Sequence, residues 1–254
     1  MRKIFLTAVL LLFLAVPARS AEDPAPPFGP GERLYYDIYW TVIHAGRAEL
    51  TCMDDTEMDG RPARYFLAKA RTQGWVDNFY KVRDTMEAWT DMDVNYALRY
   101  KKDQNEGSYH KKVELVFDKQ ANQSYRYARG KLQHTLDQPE NVFDPMSILF
   151  AFRKEALYKG MEFDANVSDG KVSVVGKAFV EDRETVETGI GDVEAYRVRL
   201  DIKHLSGVFK KSKKAELYVW FSADERRIPV KVRSKVAVGH FSMTLREYYP
   251  PARG

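Results

Sequence analysis

Metal or acid–base chemistry would start from five histidines, His44, His110, His134, His204 and His240, and these are scattered over 254 residues. None pairs with another at the i, i+4 spacing or with a cysteine, the arrangements that turn two ligands toward one zinc ion. No metal site and no cofactor is expected. A serine nucleophile on a Gly-x-Ser-x-Gly elbow is absent from the sequence. Gly189-Ile190-Gly191 lacks the third glycine and the strand-to-helix setting of a dinucleotide loop, so it reads as a turn between strands. Asp54, Asp55, Glu57 and Asp59 have the composition of a calcium loop, but Asp59 and Tyr65 occupy the sixth and twelfth places, where Gly and Glu are needed. A solvated hairpin tip is the better reading. Carboxylates for glycoside cleavage can be drawn from 36 Asp and Glu, yet spacing along a β chain does not say which of them meet in space. No catalytic residue is assigned.

Binding chemistry has more material. Tyr and Phe number 29, with Trp40, Trp75, Trp89 and Trp220 in addition. Aromatics at strand positions usually pack a core, but lining a curved sheet they also shelter an acyl chain. The candidate lining residues are Tyr36, Trp40, Trp75, Phe79, Trp89, Phe150 and Trp220. The densest cations are Lys210, Lys211, Lys213 and Lys214, with Arg226 and Arg227 at the next turn. They form a solvated hairpin loop or an electrostatic foot on an anionic envelope surface. Cys52, the sole cysteine, alternates with Ala48 and Leu50 and is expected to be buried and inert.

Something must place these residues outside the cytoplasm. Arg2 and Lys3 precede an apolar run from Ile4 to Val16, and Ala18 and Ser20 supply the small residues of a cleavage site. This is the pattern of a secretory signal over residues 1–20, cut between Ser20 and Ala21. A periplasmic or otherwise exported protein is expected, soluble after cleavage and without a transmembrane anchor. Residues 21–30 read as a Pro-rich tether and 31–250 as one β-rich domain. Without the signal, 37 basic residues face 36 acidic ones, which disfavours nucleic acid as a partner. The charge is uneven, since residues 201–254 hold 12 Lys and Arg against 5 Asp and Glu.

Period-two alternation recurs from end to end. Tyr196, Val198, Leu200 and Ile202 point one way and Arg197, Arg199, Asp201 and Lys203 the other. Similar runs pass through Leu34 to Trp40, Phe66 to Ala70, Val113 to Phe117 and Phe241 to Leu245. Turn signals stand at Asp59-Gly60, Arg129-Gly130 and Asp169-Gly170, the last a candidate two-residue hairpin. Leu217 to Phe221 is apolar or amphipathic on both faces and should be covered on both sides. Asp144 can cap a helix that starts at Pro145 and stays apolar from Met146 to Phe152, and such a helix is buried. Trp75 to Val82 is a second, shorter helix candidate. The expected fold is mainly β: a strongly curved antiparallel sheet or open β-barrel with one or two short helices, the apolar one on the concave face.

Gly31-Glu32-x-Leu34-x-Tyr36-x-Ile38-x-Trp40, Ala45-Gly46, Asp144-Pro145-x-Ser147 and Leu217-x-x-Trp220-x-Ser222-x-Asp224-x-x-Arg227-x-Pro229-Val230 stand in an order and spacing that resemble the exported bacterial domain-of-unknown-function 3108 family. The resemblance implies a signal-bearing, periplasmic Gram-negative protein without established activity, and a fold similar to the open barrels of periplasmic lipoprotein carriers. It transfers no catalytic residue. The leading expectation is non-enzymatic binding of an apolar or amphipathic envelope component, a lipid or lipidated peptide. The alternative is an interaction module for envelope proteins or polysaccharide, acting through an edge strand or the Lys210–Lys214 loop. A hydrolase comes third.

Overall fold

The computed structural model describes residues 25–201, 216–235 and 240–252. Residues 1–20, read as a secretory signal, and the Lys210, Lys211, Lys213 and Lys214 cluster lie outside them. The first half runs β1 (Arg33–Trp40), β2 (Ile43–Cys52), β3 (Thr56–Met58), β4 (Arg61–Thr72), a one-turn helix α1 (Val76–Phe79), β5 (Arg83–Thr90), β6 (Ala97–Glu106), β7 (Tyr109–Asp118), β8 (Gln123–Ala128) and β9 (Lys131–Asp137). The second half runs β10 (Val142–Phe143), α2 (Ser147–Arg153), β11 (Glu162–Ser168), β12 (Ser173–Thr188), β13 (Gly191–Asp201), β14 (Glu216–Ser222), β15 (Pro229–Lys235) and β16 (His240–Tyr249).

These strands form one open sheet in the order β10-β11-β12-β13-β14-β15-β16-β1-β2-β4-β5-β6-β7-β8-β9, with β3 attached to β4. Most neighbours in the sheet are neighbours in the chain, as a meander requires. The exceptions are the antiparallel pairs β1 and β16 and β2 and β4, the latter with β3 between them in the chain, while β10 and β11, consecutive strands joined through α2, pair in parallel. Asp59-Gly60 and Arg129-Gly130 link Met58 to Arg61 and Ala128 to Lys131, with all four turn residues at positive φ, the geometry that matches strand twist. The Asp169-Gly170 turn differs from the expected two-residue hairpin. The Asp169 carboxylate accepts the N–H groups of Lys171 and Val172 at 2.9 and 3.1 Å, and this widens the loop between the paired Ser168 and Ser173.

α2 lies on the concave face, capped as its sequence suggests. Asp144 Oδ1 accepts the N–H groups of Met146 and Ser147 at 2.7 and 3.0 Å. Phe150 stacks on Phe66 with ring centroids 3.7 Å apart, and Phe152 packs against Phe163 and Phe221 at 5.3 and 4.9 Å. In the Pro-rich segment before β1, Phe28 is buried between Phe66 and Phe150.

Near the two ends of the strand order a side chain bridges β8 and β11. Gln138 Nε2 donates to Ser124 Oγ of β8 at 2.7 Å and to Ser168 Oγ of β11 at 3.0 Å. The outer face is polar, as the cross-strand row Asp37, Arg47, Arg71, Arg83 illustrates. A sheet with charges on its outer face is solvated there and is not immersed in lipid. Among the described residues no helix is long and apolar enough to cross a membrane.

Candidate functional site: the inner face beyond α2

Cross-strand partners share a face, so register separates inside from outside. The row Cys52, Phe66, Ala88, Tyr100, Leu115, Arg126 lies under α2 and is buried throughout. One step toward the far end, Leu50, Ala68, Met86 and Lys102 follow, and then Tyr36, Ala48, Ala70 and Asp84. In these two rows Leu50 and Tyr36 are buried, while Ala48, Ala68, Ala70, Met86, Asp84 and Lys102 are half-exposed. Small side chains fill less of the inner face here than the aromatics do under α2, and although Ala48, Ala68 and Met86 pack against the core cluster they stay partly exposed, which leaves a shallow trough. On its other side Val232, Met243 and Ile38 continue the face strand to strand, while Val198 and Val219 in the same row are buried in the cluster that holds Phe152 of α2. At the open end of the trough stand the paired Trp40 and Phe241, both exposed.

One flank of the trough is charged. Asp84 accepts the Asn105 N–H at 2.8 Å, and its carboxyl is pushed up to about 6, chiefly by burial and also by Glu106. Lys102 is held below the usual ammonium range, first by burial and then by Lys111. An apolar trough with an ammonium and a carboxyl on one side suits an amphipathic occupant.

Of the aromatics picked out in the sequence, the structure brings only some to this face. Phe150 belongs to the packed floor. Tyr36 does too, and its hydroxyl donates to the Pro229 carbonyl at 2.8 Å. Trp40 lies at the mouth. Trp75 and Phe79, whose rings meet edge to face at 5.8 Å, lie on the β4–β5 connection at the same end. Trp89 and Trp220 are corrections, because register turns both to the outer face. Trp89 stacks flat on Tyr65 at 4.8 Å. Trp220 pairs with Lys231, and its indole N–H donates to Glu184 of β12. Leu217 to Phe221 is thus covered on both sides, as its apolar faces required. Arg226 and Arg227 are not a free basic patch either. Arg226 is bound to Asp224 and lies 5.4 Å from the Tyr248 ring, and Arg227 Nε donates to the Arg153 carbonyl.

The residues that the sequence reading missed are Lys102, Asp84 and the buried pair Glu32 and Arg153, which closes the floor. Their signal was faint, amounting to Arg153 ending an apolar helix and Asp84 and Lys102 breaking alternating strands. Cys52 lies in the floor row, and burial pushes its thiol up to about 12.

The sequence model of a family described as protein of unknown function (DUF3108) matches residues 35–246. None of the curated proteins matches the chain. Among solved structures, a β-barrel-like protein of domain of unknown function DUF1849 from Brucella abortus is similar, with 12% identity and a TM-score of 0.58 over 87% of this chain and 98% of that one. A protein from Parabacteroides distasonis described as a lipoprotein is 11% identical, with a TM-score of 0.39 over 88% and 98% of the two chains. One from Bacteroides fragilis, described as exported and of YmcC-like fold, is 12% identical, with a TM-score of 0.40 over 88% and 97%. Of these three, the Brucella protein is similar enough to show a shared fold, and at that identity it shows the fold alone.

Proposed function

Because the chain belongs to the DUF3108 family of proteins of unknown function, its role has to come from its own surfaces, and we propose that the inner face beyond α2 binds an apolar or amphipathic component of the cell envelope, a lipid or lipidated peptide, without turnover. The observation that carries this is the gradient along the inner face. Buried Phe66 and Leu115 under α2 give way to half-exposed Ala48, Ala68 and Ala70, which leave room for chains of methylenes. Each methylene moved from water into such a trough contributes about 0.8 kcal/mol, so an acyl chain needs no specific polar contact to be held. Lys102 faces the same space and fits an anionic head.

The secretory pattern of residues 1–20 puts this binding in the periplasm or an equivalent exported compartment. Native mass spectrometry with organic extraction, on protein purified after export and without detergent, tests the reading. A lipid or acyl species near one per chain supports it, and a clean apo mass from freshly exported protein removes it.

A second reading has one observation in its favour. β9 pairs only with β8, and residues Lys131 to Thr135 are exposed in succession, so a partner strand can add there. Partner capture that survives Thr135→Pro would count against it.

A further inference from the structure

The end of the sheet where the trough opens carries a group of exposed apolar side chains. Val42, at the tip of the β1–β2 hairpin, is 86% exposed, and Phe79 and Trp75 are 80% and 58% exposed. Tyr80, Trp40 and Phe241 are exposed at the same end. These tips are adjacent, because the Gln73 N–H donates to the Ala45 carbonyl and the Thr41 N–H to the His240 carbonyl, at 3.1 and 2.8 Å. They project instead of lining a recess. A protein partner would need a pocket shaped for each, whereas the interfacial layer of a bilayer accepts projecting Trp, Phe and Tyr without shape matching.

Charge points to the same partner. Arg71, Lys81 and Lys235 are exposed beside these tips and make no ion pair among the described residues. The one carboxylate on the β4–β5 connection, Asp77, is taken by Arg83 at 2.8 Å. At the closed end the turns carry Asp54, Asp55, Asp59, Asp91 and Asp93. Glu106 lies beside Lys81 and Glu216 opposite Lys235 at the open end, while Asp55 and Asp59 at the other end are paired with Arg64 and Arg99, so what sets the open end apart is its exposed aromatics with cations interspersed, the composition that suits an anionic interfacial layer.

We propose that the open end docks on an anionic lipid bilayer, with Val42, Trp75 and Phe79 entering the headgroup layer and Arg71, Lys81 and Lys235 against lipid phosphates. Docking needs only the rim, so it goes beyond the trough reading and stands apart from it. It gives an apolar occupant a route between bilayer and trough that avoids water.

The test is flotation of the protein, purified after export, with vesicles of phosphatidylcholine plus phosphatidylglycerol and of phosphatidylcholine alone. The expected result is partition to the phosphatidylglycerol vesicles that weakens with salt and falls about tenfold or more in Trp75→Ser/Phe79→Ser, whose thermal unfolding is unchanged because both residues are exposed. No partition to either vesicle overturns the proposal, and so does partition that the double variant leaves intact. Loss of self-association in the double variant, with no vesicle binding, would assign the rim to a second copy of the chain instead. Ala68→Phe, which blocks the trough but not the rim, separates the readings: it should still float while losing any extracted ligand.

Discussion

Glu32 and Arg153, 121 residues apart, form a two-pronged ion pair at 2.7 and 2.8 Å, with their side chains 1% and 0% exposed. The guanidinium also donates to the Arg226 carbonyl at 3.1 Å and lies 5.1 Å from the Phe28 ring. One buried charge pair thus ties together the segment before β1, the end of α2 and the β14–β15 turn. Desolvating two ions offsets most of their attraction, so the pair fixes geometry more than it adds stability.

Removing one partner leaves the other charged and buried. Glu32→Gln or Arg153→Met is expected to cost about 3–5 kcal/mol in denaturant unfolding, while Glu32→Leu/Arg153→Met recovers much of that loss. A double variant as unstable as the sum of the singles would show that the pair is not coupled.

Asp144 makes stability depend on pH. Burial pushes its carboxyl up to about 6 from the ordinary 3.8, so the folded chain holds this proton more tightly than the unfolded one. Stability should therefore fall as pH rises from about 4 to about 6, by of order 2 kcal/mol from this group. Asp84, also raised to about 6, acts in the same direction. Asp144→Asn keeps the Oδ1 acceptor, so the difference between its unfolding curve and that of the parent, measured from pH 4 to 7, isolates the Asp144 share. A flat difference would refute the assignment.

Cys52 should be silent until the fold opens. With its thiol pushed up to about 12, the thiolate fraction is about a thousandfold below that of a free cysteine, before any barrier to access. A thiol reagent at pH 8 should modify Cys52 only as fast as the protein unfolds. Rapid reaction of the native protein would contradict this.

Lys102 is expected to select the head of the ligand. Lys102→Glu should lower retention of anionic amphiphiles about tenfold and leave neutral ones unchanged, as measured by competition with a fluorescent fatty acid and its methyl ester. Equal loss of both would mean that the residue only shapes the wall.

The architecture was legible wherever one face was apolar and the other charged. Val198 against Arg197 and Arg199 is the clearest case, and Asp144 followed by Pro145 marked the helix start. Facing was not legible for Trp89 and Trp220, which sit in strands with bulky residues on both sides, where a one-residue change of register exchanges inside and outside. Ala68 and Ala70 were read as strand positions, but the trough depends on Ala48 and Asp84 being drawn beside them by a curvature no local pattern encodes. Glu32 and Arg153 were missed because the pair is formed by the fold, not by spacing. Gly46, by contrast, stood in a recognisable block, and the structure supplies its reason: a Cβ there would lie 2.1 Å from the Arg71 carbonyl oxygen.

The first strand of the chain lies in the middle of the sheet, between β2 and the last strand, β16. Hairpins such as β6–β7 and β12–β13 can zip as soon as they are made, because each closes a short loop. The ladder from residues 33–40 to 240–249 cannot form until the C-terminus is free. A chain made from its N-terminus therefore stays incomplete, with one edge of β1 unpaired, until residues 240–249 emerge. Completion of the fold is timed by the emergence of β16.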